Sequence, residues 1–501
     1  MAPLFSATGY VWGEEAGVGG PLGESQTSPV KFRNGFPIID ITAGPRYTLY
    51  IDIYGKAYAS GYIESLSTYN GQFGVGSNVT QGSNNDRPVE FVFQNSAQAR
   101  SLRSLAQADA PPFQSVYAGR DHSAFIDESG RLYTTGSNND GKLCLGDTGG
   151  ESRNIPHQVI LPRKAVSVAL GLEFTLILLE NGEVYGCGSN RLGQLGLGNT
   201  VTVSTPTRIG SSLGKIKAIS AGAEFSLFLT RVGKAYSSGR NIYMQQCRNN
   251  GGTPVKTLTE IQSEGLDIIG IQAGSESSYL LLSNGVDLPA IASCGRNNQG
   301  QLCIGSLTDT DRKQVKLDGV SVTGFGSGPT AETVFFIGVN TTDGSDVVYG
   351  CGRNDLNQLG IGNFQPTQQT TPKKVPFKIK RFNMEISAAS SHTVSIDLSL
   401  ATDSPSQSPS ATPSLAYPTS LPSTNPTVAP TRKLLYDTYM TFASKNVAHF
   451  CTLTSLFLQR KIQMNVVLNI GGAREELVMA TVRSKLRHLW TMGMKKHSTF
   501  Q

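Results

Sequence analysis

A glycine-rich sequence unit recurs along this chain and limits what it can fold into. Its clearest copy is GEVYGCGSNRLGQLGLGN at 182–199. Weaker copies lie at 10–24, 55–78, 130–147, 233–249, 291–306 and 347–363. One glycine of the unit recurs seven times, 48 to 75 residues apart, as Gly13, Gly61, Gly136, Gly188, Gly239, Gly295 and Gly352. Repeats of this length are typical of propellers and arrays of stacked units.

A second motif precedes the first within each unit. It reads A-G, two residues, an aromatic residue or His, then Ser or Thr, as in AGRDHS at 118–123 and AGAEFS at 221–226. From its glycine to the next recurring glycine there are 17 residues in four units. Between the two motifs lie buried-strand runs such as FTLILL and turn residues such as ENG. Each unit therefore reads as four short strands.

The two ends of the repeat region carry complementary halves of one unit. Residues 10–24 hold only its second half, and 386–398 hold only its first half. We therefore predict an all-β fold over residues 8–400, a seven-bladed β-propeller closed by pairing of the N- and C-terminal strands. Such closure leaves no free sheet edge.

The segments outside the regular repeats differ in composition. Residues 401–431 are rich in Pro, Ser and Thr, which predicts a disordered linker. The basic tail at 432–501 has apolar residues at helical spacing within 473–496, which favours a basic helix or a poorly ordered tail. An insertion around 95–112, between the second and third units, contains a predicted short helix at 96–109.

The cysteines and the termini bear on the cellular compartment. Cys187, Cys294 and Cys351 share one repeat position, and equivalent positions in different blades are too far apart to bridge. The sequence thus predicts buried thiols and a reducing compartment, the cytoplasm or the nucleus. Two N-glycosylation sequons, at Asn78 and Asn340, stand against that compartment, but such short patterns often arise by chance, so secretion is the secondary alternative. We find no apolar signal segment near Met1 and no run long enough to span a membrane.

Charge and motif content exclude several functional classes. Residues 432–501 hold 11 basic and 3 acidic residues, so the rest of the chain, with 32 and 34, is nearly neutral. A neutral repeat region offers no field that would attract nucleic acid. The segment GSNNDGK at 136–142 resembles a phosphate-binding loop, but Leu143 replaces the required Ser or Thr. We predict a monomeric, non-catalytic binding module with no metal and no cofactor.

One position of the second motif carries a carboxylate in four consecutive units. The residue before the aromatic or His is Asp121, Glu173, Glu224 and Glu276, and then Thr330 and Ser391. Equivalent positions of a propeller form a ring on one face, so these residues predict an acidic arc that attracts a basic partner. The alternative is that each carboxylate caps the backbone N–H groups of its own turn.

The two motifs resemble the VYxWGxNxxGQLGxG and AGxxHS/T patterns of the regulator of chromosome condensation family. The resemblance implies a seven-bladed propeller that binds proteins, because members include ubiquitin-ligase domains and exchange factors for the GTPase Ran. Guanine-nucleotide exchange on a Ran-type small GTPase and extracellular ligand binding remain the alternatives. Exchange factors use acidic and histidine side chains, and the motif histidine persists only at His122 and His392. The predicted partner-binding residues are Asp121, His122, Glu173, Glu224, Glu276 and His392. For the two histidines the alternative is a hydrogen bond to a neighbouring blade.

Overall fold

The computed structural model describes residues 8–14, 26–31, 37–62, 71–74, 84–90, 111–147, 150–248, 252–362, 366–377, 384–397, 466–470 and 473–477. The chain divides into two compact units, Met1–Ser406 and Gln407–Gln501.

The first unit consists of seven four-stranded antiparallel sheets, the blades. Blade 1 begins with β1 (Thr8–Gly13) and β2 (Gln26–Lys31); blade 2 is β3 (Ile38–Gly44), β4 (Tyr47–Asp52), β5 (Ala57–Tyr62) and β6 (Asn84–Glu90). Blade 3 is β7 (Phe113–Ala118), β8 (His122–Asp127), β9 (Leu132–Gly136) and β10 (Arg153–Val159), with a 3₁₀ helix at Asn139–Gly141. Blade 4 is β11 (Ala165–Leu170), β12 (Phe174–Leu179), β13 (Val184–Gly188) and β14 (Val203–Ile209).

The remaining blades repeat this order. Blade 5 is β15 (Ile216–Ala221), β16 (Phe225–Thr230), β17 (Ala235–Gly239) and β18 (Val255–Glu260). Blade 6 is β19 (Asp267–Ala273), β20 (Ser277–Ser283), β21 (Ala290–Gly295) and β22 (Thr310–Val315). Blade 7 is β23 (Val320–Gly326), β24 (Thr333–Asn340), β25 (Asp346–Arg353) and β26 (Gln368–Lys374), and β27 (Met384–Ala388) and β28 (His392–Asp397) complete blade 1.

The predicted closure of the ring is confirmed. In blade 1 the strands lie in the order β2-β1-β28-β27, and β1 pairs with β28 over its full length, from Thr8 opposite Asp397 to Gly13 opposite His392. The first and last repeat halves therefore form one blade, and the seven-bladed propeller has no unpaired end.

The position of a strand within its blade follows from its sequence. The second strand, such as FTLILL of β12, is buried along its whole length, because neighbouring blades cover both of its faces. The first strands of neighbouring blades contact one another, as β11 contacts β15, which places them around the central axis. The fourth strand lies at the rim, where the half-exposed β14 accommodates Pro206 at an irregularity in its pairing with β13.

The recurring glycine ends the third strand, and its geometry excludes other residues. Gly188 has a φ of +100°, and a Cβ there would lie 2.5 Å from the carbonyl oxygen of Glu173. Both the backbone conformation and the close approach of the neighbouring strand require glycine. This requirement explains why the residue recurs in every repeat unit.

In most blades the second motif contacts the preceding blade through its Ser or Thr hydroxyl. The Ser226 hydroxyl donates a hydrogen bond to the carbonyl of Gln194, in the GQLG segment of blade 4, at 2.6 Å. Ser278 donates in the same way to Gln245, and Thr393 donates to Gln358 across the closing interface. The two motifs are thus the two sides of one contact between blades.

The prediction that the cysteines are free thiols is wrong for the six cysteines of the described residues. Disulfides join blades 3 and 4, blades 5 and 6, and blades 6 and 7 through the pairs Cys144–Cys187, Cys247–Cys294 and Cys303–Cys351. Each disulfide links two different repeat positions, namely the GQLG loop of one blade and the third strand of the next, whose Cα atoms lie 5.4 to 5.7 Å apart. Equivalent repeat positions are too far apart to bridge, whereas these two different positions meet between blades. Each such bond stabilises a fold by about 2–5 kcal/mol.

The second unit contains a β-hairpin, β29 (Val466–Ile470) and β30 (Ala473–Leu477), joined by the sequence Gly-Gly. The prediction of a helix is therefore wrong for Ala473–Leu477, whose partner strand VVLNI favours β structure. The rest of the predicted helix, the linker and the insertion helix at 96–109 lie outside the described residues. Within the described ranges, no helix is long and apolar enough to cross a membrane.

Candidate partner-binding face

The predicted carboxylates occupy one equivalent backbone position in successive blades. Each lies immediately before the second strand, and its carbonyl accepts a hydrogen bond from the residue after the recurring glycine. Ser189 N lies 2.7 Å from Glu173 O, and Arg296 N lies 2.9 Å from Glu276 O. The shared hydrogen bond places the loops that carry these side chains on the same face of the propeller.

The prediction that Thr330 holds this position in blade 7 is wrong, because Glu332 does. Thr333 pairs with Gly352 as His122 pairs with Gly136 in blade 3, and Arg353 N donates to Glu332 O at 3.0 Å. The motif of blade 7 is two residues longer than the others, so counting from its glycine misses the equivalent residue. Five consecutive blades, rather than four, therefore carry a carboxylate here.

In blades 5 to 7 each carboxylate pairs with an arginine of its own blade. The pairs are Arg240–Glu224, Arg296–Glu276 at 2.6 Å and Arg353–Glu332 at 3.2 Å. Each arginine directly follows the recurring glycine, where the units of blades 3 and 4 have serine. A sequence signal for these pairs exists. It is the triplet Gly-Arg-Asn, which occurs at 239–241, 295–297 and 352–354.

Tyr243 connects two of these pairs across the interface between blades 5 and 6. The Arg296 guanidinium carbon lies 5.0 Å from the centre of the Tyr243 ring, and that of Arg240 lies 5.9 Å from it. Arg240 also lies 3.8 Å from the Glu276 carboxylate of the next blade. We call the three arginines, their three carboxylates and Tyr243 the arginine ladder. Its arginine side chains are 30 to 33% exposed.

In blades 3 and 4 the basic partner is a buried lysine. Lys142 is 0% exposed, and its Nζ lies 2.6 Å from Asp121 Oδ1 and 2.6 Å from Glu173 Oε2. Arg120, which is partly exposed, pairs with Glu173 from outside. We call these four residues the lysine cluster. Lys142 ends the segment that resembled a phosphate-binding loop, so its ammonium group is already occupied by carboxylates.

The charge state of the lysine cluster follows from these distances. Burial acts to raise the pKa of Asp121, but the adjacent Lys142 ammonium outweighs it and holds that pKa well below its usual range. His122 lies 3.8 Å from the Asp121 carboxylate, too far for a hydrogen bond. Asp121 is therefore a carboxylate at neutral pH, and its charge is balanced inside the protein.

The two predicted histidines lie inside the propeller. His122 and His392 are fully buried, and the Nε2 atom of each contacts the threonine hydroxyl of the following blade, Thr175 at 3.3 Å and Thr48 at 3.0 Å. Burial lowers the pKa of both imidazoles, that of His392 to about 4, so both are neutral at pH 7. Neither side chain forms part of the exposed face.

Comparison with known proteins agrees with the repeat motifs. The model of the RCC1-like domain family matches residues 67–400. A stretch of 195 residues is 32% identical to the secretion-regulating guanine nucleotide exchange factor of Bos taurus, covering 37% of this chain and 41% of that protein. Another of 156 residues is 36% identical to the X-linked retinitis pigmentosa GTPase regulator of Canis lupus familiaris, covering 31% of this chain and 14% of the relative. This chain thus spans less than half the length of either relative.

Solved structures share the architecture at low sequence identity. Prp20p from Saccharomyces cerevisiae superposes with a TM-score of 0.61 at 18% identity, covering 79% of this chain and 92% of Prp20p. Human WBSCR16 gives the same TM-score at 19% identity, covering 78% of this chain and 98% of that structure. At such identity the superpositions show a common fold alone.

Proposed function

This chain belongs to the RCC1-like domain family, whose model covers more than half of it, and we propose that its propeller binds a partner protein through the arginine ladder. The fold itself hosts many activities, so the proposal rests on this face and not on the propeller architecture.

The observation that carries the proposal is the composition of the ladder. Three half-buried ion pairs repeat in neighbouring blades, and Tyr243 lies between two of the arginines. Arginine and tyrosine, together with tryptophan, are enriched among the residues that dominate protein interfaces, because they combine large contact area with directed hydrogen bonds. Ile242, beside Tyr243, is 44% exposed and adds an apolar contact.

The pairing of charges narrows the kind of partner. An arc of unpaired carboxylates would select a strongly basic protein, but each carboxylate of the ladder faces an arginine. A partner surface that carries both signs of charge fits this pattern, because it can exchange ion pairs with the ladder. Asp121 and Glu173 contribute less, since Lys142 and Arg120 already engage them.

The test is capture of binding proteins on the immobilised full chain. We expect the double variant Glu224→Gln, Glu276→Gln to capture a specific partner in an amount at least about tenfold lower than the unmutated chain does, because two arginines lose their counter-charges at the interface. The matched control is Glu260→Gln. Glu260 lies on β18, the outermost strand of blade 5, and the substitution removes its ion pair with Lys234. Equal capture by all three proteins would contradict the proposal.

Guanine-nucleotide exchange on a Ran-type GTPase is the second candidate function. It is favoured by the similarity to a relative named as a guanine nucleotide exchange factor. Release of a fluorescent GDP analogue from the GTPase, with the full chain added, tests it directly. Acceleration that the Glu224→Gln, Glu276→Gln variant loses would assign exchange to the ladder face. If a folded chain does not accelerate GDP release, exchange is excluded and partner binding is the remaining proposal.

The cellular compartment bears on both candidates. A cytoplasmic or nuclear location stays a prediction. Free thiols no longer support it, because six cysteines form disulfides. Exchange on a Ran-type GTPase requires that location, whereas partner binding through the ladder does not.

A further inference from the structure

A glycosylation sequon lies on an exposed hairpin of blade 7. Asn340 is the last residue of β24, Asp346 is the first of β25, and the five residues between them, TTDGS, are all exposed. Asn340, Thr341 and Thr342 form the sequon Asn-Thr-Thr. Glycosylated sequons lie in surface turns of this kind, because the transferring enzyme must reach the asparagine.

The side chain of Asn340 is held in the hairpin by a hydrogen bond to its oxygen atom. Its Oδ1 accepts a hydrogen bond from Thr342 N at 2.8 Å. The hairpin is closed by backbone bonds, Asn340 N to Ser345 O at 2.8 Å and Gly344 N to Asn340 O at 2.9 Å. Within the described residues Asn340 Nδ2 donates no hydrogen bond, so a substituent on this atom would break no contact of the fold.

The disulfides supply an independent observation about the compartment. All six cysteines of the described residues are paired, and each pair joins two blades. Disulfides of this structural kind form in the lumen of the secretory pathway or outside the cell, and they are rare in the cytosol and nucleus. N-glycosylation of Asn-X-Thr takes place on proteins that enter the same pathway.

Three of these cysteines lie in a backbone conformation that favours glycine. Cys144, Cys247 and Cys303 have φ angles of 61°, 54° and 61°, in the left-handed region. The equivalent residue of blade 4 is Gly196, with a φ of 64°. A non-glycine residue costs about 1–2 kcal/mol in this conformation, and a disulfide offsets that cost. A buried free thiol would offer no comparable compensation.

We propose that Asn340 is an N-glycosylation site and that this chain matures in an oxidising secretory compartment. The co-substrate is an oligosaccharide linked to a lipid diphosphate. A bond forms between Asn340 Nδ2 and the anomeric carbon of the first sugar, while the bond from that carbon to the diphosphate oxygen breaks. Nδ2 loses one proton, and the lipid diphosphate departs with the bonding electron pair.

The glycan would project from the face opposite the arginine ladder. The second strand of blade 7 begins beside Glu332, on the ladder face, and runs to Asn340 at the other end of the blade. The modified hairpin and the proposed partner surface therefore lie at opposite ends of the strand. Glycosylation at Asn340 leaves the ladder accessible, so the two proposals can fail separately.

One pair of tryptic peptides reports both the glycan at Asn340 and the disulfide Cys303–Cys351. Tryptic cleavage of the full chain, isolated from its own cells and kept unreduced, yields peptides 297–312 and 317–353, which Cys303–Cys351 joins. We expect the joined pair to carry a glycan that a peptide N-glycosidase removes, converting Asn340 to aspartate. A joined pair with unmodified Asn340 would overturn the glycosylation site. Unmodified Asn340 together with free thiols would overturn the site and the compartment.

Variants of the full chain, produced in eukaryotic secretory cells, test the sequon itself. Asn340→Gln and Thr342→Ala should abolish glycan at this peptide, whereas Thr342→Ser and Thr341→Ala should retain it, because a sequon requires only Asn and a hydroxyl two residues later. Intact disulfides in every variant show that folding is unchanged. Absence of glycan from the unmutated hairpin in correctly disulfide-bonded chain would contradict the proposal.

Discussion

The lysine cluster and the arginine ladder both balance the charge of partly buried carboxylates, but they use different cations. Both place a carboxylate before the second strand of a blade and both balance it with a cation. In blades 5 to 7 the cation is a half-buried arginine that follows the recurring glycine. In blades 3 and 4 that position is Ser137 or Ser189, which has no charge, and the buried Lys142 of the neighbouring loop serves both carboxylates.

The difference separates a buried cation from accessible cations at equivalent positions of the propeller. Lys142 is fully buried and has two carboxylates within 2.6 Å, so no partner can reach it without opening the cluster. The ladder arginines remain about one-third exposed, and an incoming protein can contact them directly. Equivalent backbone positions therefore differ in what a partner could reach, according to whether the cation is buried.

The largest expected effect is the loss of the buried lysine. Lys142→Met keeps the apolar stem but leaves Asp121 and Glu173 without their shared cation, which should destabilise the fold by about 3 kcal/mol. The midpoint of urea denaturation measures this change. Lys234→Met, at an exposed ion pair with Glu260, is the control and should leave the midpoint unchanged. Equal midpoints for both variants would show that the lysine cluster does not stabilise the propeller.

Acid should lower the free energy of unfolding, because Asp121 of the lysine cluster becomes protonated. Its folded-state pKa is lowered, so its stabilising effect is present above the unfolded value of 3.8 and is lost as the pH falls toward the folded value. Asp121→Asn should therefore flatten the decline in the free energy of unfolding below pH 3.8. Denaturation of the two proteins on either side of that pH measures the slopes. Parallel slopes would mean that Asp121 is not held ionised by Lys142.

The smallest expected effect on stability belongs to the ladder. Arg296→Ala removes a half-exposed ion pair and should change the free energy of unfolding by less than about 1 kcal/mol. It should nevertheless weaken partner capture, because it also removes the cation above the Tyr243 ring. Arg312→Ala, at the separate Arg312–Glu264 pair, is the matched control for both measurements. A large loss of stability in Arg296→Ala would make the ladder structural, as the lysine cluster is.

Much of the candidate face could be predicted from the repeat pattern. Counting within the units located Asp121, Glu173, Glu224 and Glu276 at equivalent positions. Counting failed for Glu332, because the longer motif of blade 7 shifts the register, and only the pairing of Thr333 with Gly352 identifies the residue. For His122 and His392 the sequence left partner binding and a hydrogen bond between blades as alternatives, because motif position alone does not indicate whether a side chain points inward; the structure shows the hydrogen bond between blades.

The number of blades and the closure of the ring can be predicted from the repeat pattern, because each unit is a local structure whose glycines and hydroxyls recur at fixed spacing. Tertiary structure alone decided which side chains meet between blades. Cys144 contacts Cys187 and Lys142 contacts Glu173 because the GQLG loop of one blade packs against the next blade. Such contacts join different repeat positions at interfaces that form only when the ring assembles. The periodicity of the sequence therefore could not specify them.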